Sequence, residues 1–214
     1  MDEATAPHAN DEQSERPVWR GIWWGLAALF GLGIATSIAF ALVGTDASVA
    51  INTVEGTTLA ELETLEEYGH GHVAVVGSEL RFVRDQAGPA LRLAAAAPTL
   101  VVLLLATLGA VLAERATRDI TTGSPFSRRT VSALTNLSWL LAVAAILPGA
   151  AAGLAQAAML SDGQTVNLMG SNGPFSVTVL QLEVMPLLAA AFVGIIARAF
   201  RHGANLADDV EGLV

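Results

Sequence analysis

Long apolar runs alternate with shorter polar stretches along this chain, and four of the runs are long enough to cross a bilayer. A transmembrane helix needs about 20 mostly apolar residues. The predicted spans are residues 21–44, 91–113, 137–160 and 177–200. The first carries no charge, the second carries only Arg92, and the fourth contains Glu183 as its only acidic residue. The pattern predicts a membrane all-α protein, a four-transmembrane-helix bundle.

The ends and interruptions of these runs refine that prediction. The first run is longer than the 7–15 residues of a signal peptide's apolar region, and acidic residues precede it, so we expect an uncleaved helix. Residues 1–18 are expected to be a disordered acidic tail. Pro98, Pro148 and Pro186 interrupt three spans, which membrane helices tolerate where neighbours bond the freed carbonyl groups.

Two of the loops are expected to fold. The first loop, residues 45–90, is too long for a structureless connection. Within it, residues 57–69 begin with a Thr-x-x-Glu capping box and end in Gly, which predicts a helix. Residues 72–83 predict two strands about a Gly-Ser turn, and residues 164–179, around the third loop at 161–176, repeat that pattern. Two hairpins facing one compartment can pair into one sheet, so we predict a small extracytoplasmic β-rich cap with one helix.

The arginines predict the orientation of the spans. Eight of them fall on one side: Arg16, Arg20, Arg115, Arg118, Arg128, Arg129, Arg198 and Arg201. The other side has Arg81, Arg84 and Arg92, the first two in a loop rich in acidic residues. The positive-inside rule therefore places both termini and the second loop of a multi-pass membrane protein in the cytoplasm.

Composition agrees with a membrane class and narrows the function. Hydrophobic residues make up 53% of the chain and charged residues 14%, and there is no cysteine. A net charge of −9 argues against direct nucleic-acid binding, which needs clustered positive charge. Phosphate-loop, zinc-protease and nucleophile-elbow motifs are absent, so we expect no enzyme and no cofactor.

The second loop, residues 114–136, is called the elbow below. Its central stretch reads ITTGSPFSRRT, from Ile120 to Thr130. Gly123 is suited to end the incoming helix. Ser124 or Ser127 is suited to cap the next helix, with Pro125 at a first helical position. The two arginines that follow would meet phospholipid headgroups.

Two motifs on the predicted cytoplasmic side carry a resemblance. One is Gly-x-Pro-Phe-Ser at residues 123–127, and the other is aromatic-x-x-Gly-x-x-Leu at residues 200–206, followed by acidic residues. With the four spans, they make the chain similar to the bacterial domain-of-unknown-function family 2975, from the first span to the C-terminus. The final Glu-Gly-Leu-Val departs from the expected ending.

The resemblance implies a small inner-membrane protein, of a kind often encoded beside a helix-turn-helix regulator. It suggests a non-enzymatic accessory or signalling protein that binds a partner through the elbow and the C-terminal segment. The partner would be a cytoplasmic regulator or another membrane subunit. The residues expected to bind it are Pro125, Phe126, Arg128, Arg129, Gly203, Leu206, Asp208 and Asp209.

A second interpretation makes the chain a small transporter, channel or immunity-type protein. An ionisable residue at bilayer depth is costly and by default suggests function. Glu183 would act with a polar patch of Gln181, Gln156 and Arg92. Its depth depends on the preceding hairpin: if the strand runs through Leu180, the fourth helix shrinks to 184–200 and Glu183 lies at the interface.

Two weaker patterns complete the candidates. His70 and His72, beside two glutamates, could ligate Zn²⁺ or Cu²⁺, although the same residues also fit a capped helix end and a solvated strand face. Gly149 and Gly153 lie four residues apart in the third span, where small residues let two helices approach closely. We interpret that pair as a helix-packing face.

Overall fold

The computed structural model describes residues 16–50, 52–53, 71–76, 79–121, 126–160, 169–172, 175–178 and 182–211. Over these residues the protein is mostly helical. The helices are α1 (Arg16–Val43), α2 (Pro89–Thr121), α3 (Arg128–Ala144), α4 (Leu147–Leu160) and α5 (Val184–Glu211). The strands are β1 (Ala47–Ala50), β2 (Asn52–Thr53), β3 (Gly71–Val76), β4 (Glu79–Arg84), β5 (Met169–Asn172) and β6 (Phe175–Thr178).

Four helical segments of the described chain are long and apolar enough to cross a membrane, as predicted. They are Gly21–Val43, Pro89–Thr121, Arg128–Met159 and Val184–Leu206, the third being formed by α3 and α4 together. Many large apolar side chains on them are exposed, among them Phe40, Trp139 and Phe192. A soluble monomer rarely exposes so much contiguous apolar surface. Length and exposure together identify a multi-pass membrane protein.

The helices extend well beyond the predicted spans at the elbow. α2 continues to Thr121 rather than 113, and α3 begins at Arg128 rather than 137. At 1.5 Å per residue the 33 residues of α2 are about 50 Å long, against about 30 Å of bilayer hydrocarbon. The elbow is therefore largely helical. Hydropathy detects only the apolar part of a helix, and here polar residues continue both helices beyond it.

Two other predicted boundaries are corrected. α1 begins at Arg16, so residues 16–18 belong to a helix, while residues 1–15 lie outside the described chain. The fourth span does not begin at Val177, because residues 175–178 form β6 and α5 begins at Val184. The shorter alternative for this span is the correct one. At its other end α5 continues to Glu211, through the segment predicted as a tail.

One of the three prolines breaks a helix, and a neighbouring backbone group compensates for the break. Proline at residue 148 has no N–H to donate to the preceding turn, and α3 ends at Ala144. In the turn between α3 and α4, the carbonyl of the buried Ala145 accepts a hydrogen bond of 2.9 Å from the backbone N–H of Glu183. Ile146 donates to the carbonyl of Val143 at 3.1 Å. Freed carbonyl groups at membrane depth must be bonded in this way.

The strands form two sheets rather than the single sheet predicted. Both hairpins are confirmed: β3 pairs with β4 and β5 pairs with β6, each antiparallel. β1 pairs with the other side of β4, and β2 pairs with β6. The short segment from β1 to β2 thus adds one strand to each hairpin. Both turns and the predicted helix at 57–69 lie outside the described residues.

The chain divides into two compact units, residues 1–30, 106–141 and 188–214 in one and residues 31–105 and 142–187 in the other. In the second unit a small core joins β1, β4, α2 and α4. Its buried residues are Ala47, Val49, Phe82, Ala87, Ala155 and Met159. Gly33 of α1 also meets Leu103 of α2, where an added β-carbon would lie 3.3 Å from the leucine methyl groups.

In the first unit, helices approach one another at two glycines. A β-carbon on Gly109 of α2 would lie 3.6 Å from a methyl group of Leu140 of α3. On Gly194 of α5 it would lie 3.0 Å from Oγ of Ser138. The Ser138 hydroxyl donates a 2.8 Å hydrogen bond to the carbonyl of Ala190 on α5. These contacts hold α3 between α2 and α5.

Candidate functional site: the elbow and the C-terminal helix

A serine cap fixes where α3 begins. The Oγ atom of Ser127 accepts a hydrogen bond of 3.2 Å from the backbone N–H of Thr130 and lies 2.9 Å from the Thr130 hydroxyl. This is the N-cap geometry, in which a side-chain oxygen bonds the third N–H of the helix. Thr130 is fully buried. Of the two candidate serines Ser127 is therefore the cap, and Arg128 rather than Pro125 takes the first helical position.

The residue before this cap inserts its ring against the C-terminal helix. The ring centroids of Phe126 and Phe200 are 5.5 Å apart at 44°, a favourable tilted pair. At Gly203, an added β-carbon would lie 2.6 Å from Cε1 of Phe126, which is closer than real β-carbons approach any atom. Glycine at 203 thus makes room for the phenylalanine. The two motifs that were singled out in the sequence meet in space.

A cavity of about 830 Å³ lies between the end of α2 and the start of α3. Its volume is within the range of about 300–1,000 Å³ that is usual for ligand pockets. We call it the arginine cavity. It is lined chiefly by Arg115, Arg118, Asp119, Ser127, Arg128 and Arg129. Four guanidinium groups against one carboxylate make it a site for acidic groups, since Arg binds carboxylates and phosphates with two parallel hydrogen bonds. Arg128 and Arg129 are exposed.

The sequence interpretation missed two of these four arginines. Arg115 and Arg118 were counted only for orientation, because the elbow was taken as a loop after residue 113. The structure places them on the last turns of α2, which continues beside the start of α3. Their spacing of three residues, which puts them on one face of a helix, was the available signal.

The remaining predicted partner-binding residues lie on or near α5. Leu206 is 66% exposed and Phe126 is 48% exposed, so both leave apolar surface open beside the elbow motifs. Asp208 and Asp209 belong to the last turns of α5, whose backbone alone is described there. Pro125 lies outside the described residues.

The residues predicted to form one polar patch have separate environments in the structure. Glu183 directly precedes α5 with an exposed side chain, and its backbone bonds Ala145. Gln156 is buried, and its Nε2 donates a 2.8 Å hydrogen bond to the carbonyl of Ala50. Among the residues that the structure describes, no ion pair joins Glu183 to Arg92. Gln181 lies outside them.

Arg92 lies in the first turn of α2 and has an unusual environment. Its Nε atom is buried without a hydrogen-bond partner. The side chain lines a cavity of about 540 Å³ together with Asp46 and with five hydroxyl-bearing residues, Thr36, Ser37, Thr45, Ser48 and Thr99. A buried, unpartnered guanidinium nitrogen is costly. This cavity is the second candidate site.

The structure bears only partly on the predicted glycine packing face and on the two histidines. Gly149 and Gly153 are buried, as a packing face requires, and α4 packs against β1 and β6. His70 lies outside the described residues and only the backbone of His72, in β3, is described. Metal ligation by these two histidines therefore stays an untested hypothesis.

Comparisons with protein-family models, with curated proteins and with solved structures found no match.

Proposed function

We propose that this chain is a non-enzymatic accessory or signalling protein of a bacterial inner membrane, which binds a cytoplasmic protein through the elbow and α5. Both termini and the elbow lie in the cytoplasm, and the two sheets form an extracytoplasmic cap on a four-helix bundle. The support for this orientation is the arginine distribution, with eight of the eleven on the elbow side.

The contact between Phe126 and Gly203 is the observation that carries the proposal. It fixes the elbow to the C-terminal helix, so that exposed charges and apolar side chains form one preorganised surface rather than a mobile loop. Rigid presentation lowers the ordering cost of binding. A turn that only joined two spans would need neither the ring contact nor four arginines around one cavity.

The chemistry of this surface defines the partner's contact segment. The arginine cavity favours carboxylates, while Phe126, which precedes the cavity residue Ser127, and Leu206 of α5 leave apolar area exposed. The fitting occupant is an acidic segment with at least one large apolar side chain. Binding of a helix-turn-helix regulator, which the family resemblance suggests, would hold a transcription factor at the membrane.

Affinity purification of the tagged full-length protein from its native membrane in mild detergent tests this proposal. The experiment compares wild type with Arg128→Glu/Arg129→Glu, which reverses two charges of the cavity. Arg16→Glu/Arg20→Glu is the matched control, because it reverses two arginines on the same predicted side that precede the first span. We expect one stoichiometric protein, bound to wild type and to the control, to be lost from the first variant.

Two results would contradict the proposal. One is purification of the wild type as a bare monomer or homo-oligomer. The other is a partner that both variants retain equally, because binding would then not depend on the arginine cavity. Membrane insertion of each variant is checked by carbonate extraction, so that loss of the partner is not confused with loss of the protein.

The alternative function is a small transporter, channel or immunity-type protein, and the environment of Arg92 is the observation that favours it. A buried guanidinium nitrogen without a partner, beside hydroxyl groups and Asp46, would suit the passage or sensing of an anion. Unchanged flux or protection in both Arg92→Gln and Glu183→Gln would remove this alternative.

A further inference from the structure

A groove between α3 and α5 has a chemistry that the arginine cavity does not share. It is open to the surface and has a volume of about 400 Å³, and its lining consists of Thr135, Ser138, Trp139, Gly194, Ala197, Arg198, Arg201 and His202. We call it the α3–α5 groove. Its lining, which consists of described residues only, contains two guanidinium groups and an imidazole but no carboxylate. It therefore attracts an anion.

The two arginines of the groove are placed to bind one group together. Arg198 and Arg201 are three residues apart on α5, so they lie on the same face of the helix. Nη2 of Arg201 donates to Oγ1 of Thr135 on α3 at 3.5 Å, a long contact that leaves its other donors available. Both arginines are exposed, and two adjacent guanidinium groups suit a phosphate better than a single charge would.

Two large apolar side chains are exposed in and next to the groove. Trp139, in its wall, is 70% exposed, and Ile195, one turn of α5 before Arg198, is 69% exposed. Both belong to segments able to cross a membrane, so acyl chains would face them. The close approach of Gly194 to Ser138 brings the helices together at the membrane side of the arginines. A ligand here meets cations at one end and apolar surface at the other.

We propose that the α3–α5 groove binds an anionic phospholipid, with its phosphate on Arg198 and Arg201 and its acyl chains along Trp139 and Ile195. Basic pockets between membrane helices recognise anionic headgroups in this way, and Trp sits at headgroup level. A free phosphate ion would use the arginines but not the apolar wall. The site shares no residue with the arginine cavity, and it does not depend on the proposed protein partner.

Native mass spectrometry of the full-length protein in detergent tests the lipid site. Phosphatidylglycerol is titrated against phosphatidylcholine of identical acyl chains, for wild type, Arg198→Gln/Arg201→Gln and the control Arg16→Gln/Arg20→Gln. We expect wild type and control to prefer phosphatidylglycerol. The groove variant should lose about fivefold in phosphatidylglycerol affinity for each arginine and nothing in phosphatidylcholine affinity. Arg198→Lys/Arg201→Lys, which keeps the charge, should retain part of the preference.

Two further arms separate the sources of the phosphate group. Trp139→Ala should weaken phosphatidylglycerol binding without changing the binding of inorganic phosphate, since only the lipid reaches the apolar wall. An excess of inorganic phosphate that displaces the lipid completely would show a phosphate site and overturn the proposal. So would an equal loss in groove and control variants, because that would reflect general charge attraction. If the glutamine variant fails to insert, the lysine and Trp139→Ala variants carry the test.

Discussion

Phe126 lies against Gly203 so closely that a β-carbon at residue 203 would come within 2.6 Å of its ring. The ring also pairs with Phe200, one turn earlier on α5. The residue before the first turn of α3 and the C-terminal helix therefore form one local structure. Everything proposed for the elbow depends on that contact, and it can be disturbed by a single methyl group.

Gly203→Ala should lower stability and weaken partner binding together. The added methyl group must displace the Phe126 ring, and overpacking of this kind costs about 1–3 kcal/mol. Relative to Gly31→Ala, which gains the same helix propensity, we expect a loss of about 1 kcal/mol, because a half-exposed ring is able to move. Thermal unfolding in detergent and partner retention measure the two effects. Gly31→Ala is the control, since nothing lies within 4 Å of an added β-carbon there; equal behaviour of both variants would contradict the ring contact.

Ser127→Ala should destabilise the elbow by about 1 kcal/mol, the usual cost of losing an N-cap. The variant removes the acceptor for the Thr130 N–H and the partner of the buried Thr130 hydroxyl. Ser127→Asp should restore stability, because a carboxylate caps and also favours the helix dipole. Ser132→Ala, at an exposed position of α3, serves as control. Denaturation midpoints rank the stability of these variants. A midpoint of Ser127→Ala equal to that of the wild type would exclude the cap.

Two replacements of Glu183 should distinguish the contribution of its backbone N–H to stability from that of its side chain. The carboxylate is exposed, so Glu183→Gln should change stability by less than about 0.5 kcal/mol. Glu183→Pro removes the N–H that bonds the buried carbonyl of Ala145, and should cost about 1–3 kcal/mol. Thermal unfolding of both variants in one detergent measures the difference. A Gln variant as unstable as the Pro variant would assign the role to the carboxylate.

Substitutions of Gln156 should lower stability according to the buried polar groups that each leaves without a hydrogen bond. Gln156→Leu frees the Ala50 carbonyl but also removes the Gln156 Oε1 atom, which is itself buried without a partner. We therefore expect a cost of about 1 kcal/mol. Gln156→Glu loses the donor and buries a carboxylate, which should cost clearly more at neutral pH. We expect the unfolding midpoint to be highest for wild type, lower for Gln156→Leu and lowest for Gln156→Glu. A higher midpoint for Gln156→Glu than for Gln156→Leu would show that residue 156 is solvated.

The sequence by itself determined which segments are apolar enough to span a membrane and which form hairpins. Four apolar runs long enough for a bilayer, and two alternating stretches about Gly-containing turns, predicted the four spans and both hairpins, because burial of apolar side chains is a local, additive property. The choice between two starts for the fourth helix stayed open, since Glu183 fits either an interface or a membrane interior. The hairpin β5–β6 decided it.

Only the tertiary structure decided how distant segments meet. β2 pairs with β6 of another loop, Glu183 bonds the carbonyl freed near Pro148, and Phe126 enters the space left at Gly203. Each contact joins residues far apart in the chain, and its energy depends on fit between both partners rather than on either residue's type. The arginine cavity arises likewise, because α2 continues as a helix beyond its apolar stretch and ends beside the start of α3.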